Sequence, residues 1–257
     1  PILGKNSGGL GKPNLKTTDQ AFGDRLHTYT IMNAINDKNV LPFKVDYVKT
    51  MEAEENIDPN AQVVDTNRER ILLDKDRIGK IVAYVLNRFD EKTKRNTYYK
   101  LKDRRLAGFN SIFATSSIAA AKVYYSEFQK QMAELPSDKR LKVALIYSFG
   151  MNDAPDGLED ENSDDTSGLD QSDRDFLDGA IKDYNKMFGT NYDTTTKKFP
   201  NYYKDVSARV KNREVDIILV VNMFLTGFDA KTLNTLWVDK NLRYHGLLQA
   251  FSRTNRI

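Results

Sequence analysis

Residues 249–257 read Gln-Ala-Phe-Ser-Arg-Thr-Asn-Arg-Ile. Arg253 and Arg256 stand three apart, and Gln249 precedes the first of them by one helical turn, so a helix through this stretch carries all three on one face. A guanidinium is a planar fork of donors that matches phosphate oxygens. A glutamine can contact a base or a ribose without adding charge. The pattern therefore suits a phosphate or nucleotide partner, although a solvated basic helix end has the same composition. Upstream, residues 215–229 read Val-Asp-Ile-Ile-Leu-Val-Val-Asn-Met-Phe-Leu-Thr-Gly-Phe-Asp. The apolar run Ile217 to Val221 suits a strand buried on both faces of a parallel sheet. It breaks into a loop holding Thr226, Gly227 and Asp229. Ligands of open α/β sheets bind beyond the carboxyl ends of the strands. Gly227 permits close approach of a backbone, and Asp229 can accept hydrogen bonds from a ribose. A plain strand-to-helix loop reads the same way.

The elements that must position these residues follow from periodicity. Helices are predicted over 26–37, over 76–89 and over 118–135. The second carries the apolar stripe Ile78, Ile81, Val82, Val85, Leu86 and Phe89. Further helices are predicted over 173–188 and 202–212. Strands are expected at 110–117, 141–147, 215–221 and 235–239, those at 141–147 and 215–221 buried, and residues 42–49 alternate like a half-buried strand. Thr115, Ser116 and Ser117 end one strand just before a helix, where hydroxyls cap free amides that also attract anions. Strand–helix units in this order feed a mainly parallel α/β sheet.

Residues 1–20 are rich in glycine and asparagine and read as a flexible connector. Gly8 to Pro13 is not a phosphate loop, because it lacks the Gly-Lys-Ser/Thr ending and follows no strand. Residues 51–68 are polar and read as loop. Residues 91–105 hold seven lysines and arginines with Tyr98 and Tyr99. Such interleaving can track single-stranded nucleic acid, but it also fits a solvated loop or hairpin. Residues 151–175 hold ten acids and one base, Arg174, broken by Pro155, Gly157 and Gly168. They read as a mobile acidic surface insertion. The absence of cysteine and the two distant histidines, His27 and His245, exclude disulfides and any cysteine- or histidine-rich metal site. No metal ligands are assigned. No apolar run approaches the roughly 18 residues of a membrane span. The net charge of +3 says little, but residues 240–257 carry four lysines and arginines and no acid, a basic end that can attract a phosphate backbone.

The segments 215–229 and 249–256 together resemble motifs V and VI of superfamily 2 helicases and translocases. More specifically, Leu-Thr-Gly-Phe-Asp (225–229), Leu-Asn-Thr-Leu-Trp-Val-Asp-Lys-Asn-Leu (233–242) and His-Gly-Leu-Leu-Gln-Ala-Phe-Ser-Arg-Thr-Asn-Arg (245–256) resemble the motor subunit of type I restriction–modification enzymes. Ala21-Phe22-Gly23, Leu26 to Ile31, Ala34-Ile35 and Val40 to Phe43 look like the passage that follows the first motor domain in that family. Lys231 departs from the family's proline, which bears on local rigidity. The resemblance implies a RecA-like α/β domain with an acidic insertion. Residues 1–25 would be a connector from a first motor domain, and residues 26–257 the second motor domain of a larger protein.

It implies, further, ATP-driven DNA translocation in a prokaryotic cytoplasm. ATP and Mg²⁺ would be bound mainly by the first domain. Arg256 would be the arginine finger, and Arg253 a second γ-phosphate contact. Gln249, Gly227 and Asp229 would bind nucleotide. Thr115, Ser116, Ser117 and Thr226 would face the DNA. Implied partners are double-stranded DNA, the first motor domain in cis, and methyltransferase and specificity subunits. The parent would be a type I site-specific deoxyribonuclease, with this chain inactive by itself. Two alternatives are a non-catalytic DNA- or partner-binding module and the second motor domain of another superfamily 2 DNA helicase.

Overall fold

Four short apolar runs find one another and form a sheet. The computed structural model describes residues 27–50, 71–148, 169–242 and 244–256. Two units divide the chain, residues 1–42 and 43–257. The expected 1–25 connector lies outside the described residues. In the first unit, helix α1 (Ile31–Asn36) is shorter than the 26–37 predicted, and a Thr30–Asn33 capping box starts it.

The second unit opens irregularly, then forms helix α2 (Lys75–Lys92), a hairpin of β1 (Tyr98–Leu101) and β2 (Arg104–Ala107), strand β3 (Asn110–Thr115) and helix α3 (Ile118–Ala133). Strand β4 (Val143–Ile146), helices α4 (Gln171–Phe188) and α5 (Phe199–Lys211), strands β5 (Ile217–Val220) and β6 (Leu233–Asp239), and helix α6 (Tyr244–Phe251) follow. The sheet runs β4-β5-β3-β6, and every neighbouring pair is parallel. Strands β3, β4 and β5 are buried along their whole length, as strands covered on both faces must be. The helices bring their apolar faces to this sheet. On α2 the buried stripe is Ile78, Val82, Val85 and Phe89, and Ile81 and Leu86 pack half-buried beside it. Phe113 of β3 lies 4.7 Å from the ring of Tyr124 and 5.7 Å from Phe128, both on α3. Tyr202 of α5 donates its hydroxyl to the Leu145 carbonyl at 2.7 Å. No described helix is long and apolar enough to cross a membrane.

Two expectations are corrected. Residues 41–50 are irregular and largely exposed, with Tyr47 94% exposed. Alternation sets which side a strand would bury, but a strand also needs a ladder partner, and none of the described strands pairs with this segment. The acidic stretch does not run as one insertion to residue 175. Residues 149–168 lie outside the described residues. Leu169 is buried, Asp170 caps α4 by accepting from the Asp173 amide, and Asp173 pairs with Lys122 at 2.6 Å. The basic segment 91–105 takes the hairpin alternative. Gly108 closes its base, since a Cβ there would lie 2.5 Å from the Arg95 Cα.

Replacing residues 151–168 by a short Gly/Ser linker is expected to shift Tm by less than about 4 °C, the equivalent of about 1 kcal/mol in a chain of this size. Extending the replacement through residue 175 removes the α4 cap and the Lys122 pair, and is expected to lower Tm by at least about twice that. Thermal unfolding of both variants checks this. A large loss from the shorter replacement would mean that the acidic residues pack on the core.

Candidate functional site

Beyond the carboxyl ends of β5, β3 and β6 the chain forms three connected features. After β5, Val221, Met223, Phe224, Leu225 and Phe228 are buried and anchor a loop whose Thr226, Gly227 and Asp229 reach outward. Phe224 holds φ 67, a left-handed conformation costing a non-glycine residue about 1–2 kcal/mol. Its ring is gripped between Tyr203 at 4.9 Å and Phe228 at 4.6 Å. Gly227 holds φ 64 with open space where a Cβ would stand, so the backbone conformation favours glycine there, not crowding.

At the end of β3, Thr115 is wholly buried and donates to the Val220 carbonyl at 3.1 Å. Its hydroxyl joins two strand ends and faces no solvent. Ser117 caps α3, accepting from the Ala120 amide at 3.1 Å, and Ser116 is half-buried beside it. At the end of β6, Asp239 accepts from Arg77 Nη1 at 2.9 Å, from Arg77 Nη2, and from the Tyr124 hydroxyl at 2.6 Å. Burial above all pushes the Tyr124 hydroxyl well above the usual tyrosine value, so it remains a donor. The next residue, Lys240, donates to the Val221 carbonyl at 2.7 Å and to Asn222 Oδ1 at 2.5 Å. Burial lowers its ammonium to about 8.

The arginine motif differs from the helical expectation. Helix α6 ends at Phe251, so Arg253 and Arg256 lie in the turns beyond it and share no helix face. Ser252 and Thr254 return their hydroxyls to the Leu248 and Phe251 carbonyls, a side-chain competition that favours helix ends. Arg253 is 9% exposed. It donates Nε to the Gln249 carbonyl at 3.0 Å and Nη1 to the Phe228 carbonyl at 2.5 Å. Arg256, with 38% of its side chain exposed, pairs with Asp229 at 3.5 Å. Both arginines thus reach the 226–229 loop, and the two motifs meet in space. The Gln249 residue itself is exposed. Between the arginines, Asn255 is 1% exposed, and neither amide atom of its side chain has a hydrogen-bond partner. Buried polar groups in such a state call for a partner. The arrangement can present one guanidinium and one carboxylate to an anionic, hydroxyl-bearing ligand, with the Asn255 amide buried behind them. Among the described residues no three His, Cys, Asp or Glu side chains are grouped to hold a metal ion.

Arg77, Tyr124, Lys240 and Asn255 were not singled out by spacing. Asp239-Lys240, polar residues directly following an apolar strand, carried the available signal.

A parallel sheet flanked by helices, with its polar loops gathered at the carboxyl edge, defines a RecA-like domain. Residues 107–257 match the family described as type I restriction enzyme subunit R domain 3, and residues 7–104 match SWI2/SNF2 ATPase. The Type I restriction enzyme SauMRSORF196P endonuclease subunit of Staphylococcus aureus is 40% identical over 94% of this chain and 24% of its own length. The SsaAORF53P endonuclease subunit of Staphylococcus saprophyticus is 39% identical over the same shares. The putative MpnIIP endonuclease subunit N-terminal part of Mycoplasma pneumoniae is 85% identical over 34 residues, 13% of this chain and 9% of its own. The chain belongs to the type I restriction enzyme R-subunit family, and it spans about a quarter of the length of the staphylococcal relatives.

Lys240→Met removes the donor that satisfies Val221 and Asn222 and is expected to cost about 1–3 kcal/mol. Because the folded lysine titrates near 8 against the usual 10.5, the unfolded chain binds more protons between these values. Its contribution to stability therefore grows as pH rises through that window. Denaturant unfolding at pH 7.5 and 9.5 should show the gap between wild type and K240M widening. A gap that narrows would contradict the buried ammonium.

Proposed function

We propose that this chain is the second motor half of an ATP-dependent DNA translocase in the motor subunit of a type I restriction enzyme. The observation that supports this best is the meeting of Arg253 and Arg256 with the Phe228–Asp229 turn. In this reading Arg256 is the arginine finger. Its pair with Asp229 is long and half-exposed, and such pairs contribute little, so the guanidinium can leave it for a phosphoryl oxygen. Arg253, held by the Gln249 and Phe228 carbonyls, chiefly fixes the loop, and a γ-phosphate contact is its secondary proposed role. Asp229 and the open backbone at Gly227 meet the ribose, and Gln249 approaches from the exposed face of α6. The exposed part of the Arg256 guanidinium fits an anionic nucleotide.

ATP supplies the free energy of movement, and Mg²⁺ would be held mainly by a first motor domain in cis. Ser116, the α3 N-terminus at Ser117, and Thr226 are proposed to face duplex DNA. Thr115 acts from inside, by setting their position. Methyltransferase and specificity subunits are the further proposed partners, and the prokaryotic cytoplasm the proposed setting. The whole protein would be a type I site-specific deoxyribonuclease.

The 257-residue chain alone is expected to release no phosphate from ATP with duplex DNA present, since it has no Gly-x-x-x-x-Gly-Lys-Ser/Thr loop. In the complete subunit, Arg256→Ala is expected to lower ATP turnover by about 10³-fold or more while DNA affinity stays within about threefold. Arg256→Lys should restore little, because a point charge does not replace a planar fork. ATPase rates beside gel shifts on the same variants check this. Turnover within about threefold of wild type, or DNA affinity falling in step with it, would assign Arg256 to the DNA path or the surface and favour a non-catalytic module.

A further inference from the structure

The β1–β2 hairpin carries a charge arrangement that the nucleotide site does not use. Its register sets Lys100 directly opposite Arg105. Like charges across a strand pair destabilise it, and no described ion pair relieves Lys94, Lys100, Lys102, Arg104 or Arg105; Asp90 and Glu91 pair with Arg95 and Arg88, and Asp103 at the tip is the one acid within the hairpin. One face of the hairpin, Tyr99, Leu101 and Leu106, is half-buried, and Tyr99 stacks on Phe109 at 4.4 Å. The other presents Tyr98, Lys100 and Arg105 to solvent. The Arg105 guanidinium lies 4.6 Å over the Tyr98 ring, which holds it extended with its fork outward.

Two lysines also occupy left-handed conformations, Lys94 at φ 49 at the base and Lys102 at φ 54 at the tip. Glycine or asparagine suits those positions better. Retained strain and uncompensated charge on one exposed ribbon are features of a surface completed by something anionic.

The hairpin's place in the fold narrows the ligand. Arg104 reaches Asn212 at 2.7 Å, and the Gly108 carbonyl accepts from Arg213 at 3.2 Å. Both partners precede β5, and Gly108 precedes β3. The hairpin therefore stands at the amino ends of the strands, the edge away from Asp229 and Arg256. We propose that it is a second, remote DNA-contacting element, in which Lys100, Lys102 and Arg105 hold phosphates of a duplex. This rests on the translocase reading for its ligand but on none of the nucleotide-site residues. Duplex DNA fits best, because Lys100, Lys102, Arg104 and Arg105 outnumber the one carboxylate of the hairpin, Asp103 at its tip, and a net-positive ribbon matches a continuous line of phosphates, whereas an acidic protein surface presents isolated carboxylates.

The test is a titration of a fluorescein-labelled random-sequence duplex with the full 257-residue chain at several salt concentrations. K100E/K102E is expected to weaken binding at least about tenfold at low salt and to flatten the slope of log affinity against log salt by about two, roughly one per lost phosphate contact. K100R/K102R should match wild type. K100E also places a carboxylate opposite Arg105 and removes the like-charge pair, so Tm should hold or rise, and misfolding cannot mimic the result. Binding within about twofold of wild type with an unchanged slope overturns the proposal and leaves the translocase reading standing. Weaker binding together with a fall in Tm assigns the hairpin a structural role and also overturns it. Unchanged duplex binding with loss of poly-glutamate binding assigns the surface to an acidic protein. A wild-type chain that binds no duplex overturns both this proposal and the DNA contacts proposed for the site.

Discussion

A carboxylate taken largely out of water is tolerated only when its partners replace that water, and Asp239 meets that demand with the Nη1 and Nη2 atoms of Arg77 and the Tyr124 hydroxyl. Removing one partner of such a set typically costs about 3–5 kcal/mol, because the remaining charge is stranded. The set joins the end of β6 to α2 and α3, and Arg77 also reaches Thr50 at 3.2 Å. Lys240, the next residue after Asp239, points back toward the end of β5, where it holds Val221 and Asn222. Those two residues begin the loop that Arg253 grips at Phe228 and Arg256 meets at Asp229. The position of the exposed arginine is thus set through a series of contacts that starts at a buried ion pair on β6, two strands away from β5 in the sheet.

The two arginines of the motif do different things. Arg253 is a strut, buried and held by two carbonyls, and it joins the end of α6 to the loop after β5. Arg256 sits in a shallow, half-exposed pair that solvent weakens. A rigid support beside a releasable guanidinium is a physically sensible arrangement for stabilising charge that appears only in a transition state. Helix α6 need not continue through the motif for this to work, since the turn after Phe251 aims the two side chains at different atoms of one loop.

Much of the fold was legible in local pattern. Runs such as Ile217 to Val221 are apolar without alternation, which only a strand covered on both faces accommodates, and the stripe from Ile78 to Phe89 has the period of a helix on a sheet. Residues 42–49 show the limit of that reasoning, because alternation is local and a ladder partner is not. The site was legible where its chemistry was contiguous: Thr226 to Asp229 and Gln249 to Arg256 were singled out, and the structure brings the two segments together. The helix stop at Phe251 was not legible, because it depends on hydroxyls of Ser252 and Thr254 that a helix also tolerates. Arg77 and Asp239 lie 162 residues apart in the chain, and nothing in the spacing around either announces the other. The inward role of Lys240, read from sequence only as part of a basic end, was not legible for a related reason, since its two partners are a backbone carbonyl and an amide oxygen supplied by the exit of β5, two strands away.

The central claim is that Arg256 acts on a phosphoryl group in flight and not on a bound nucleotide at rest. Trapping of ADP with aluminium fluoride distinguishes the two, in a protein that carries this chain together with its first motor domain. The account predicts that wild type and Arg256→Ala bind ADP equally and that only wild type forms the long-lived ADP–aluminium fluoride complex. Equal trapping by both proteins would contradict it.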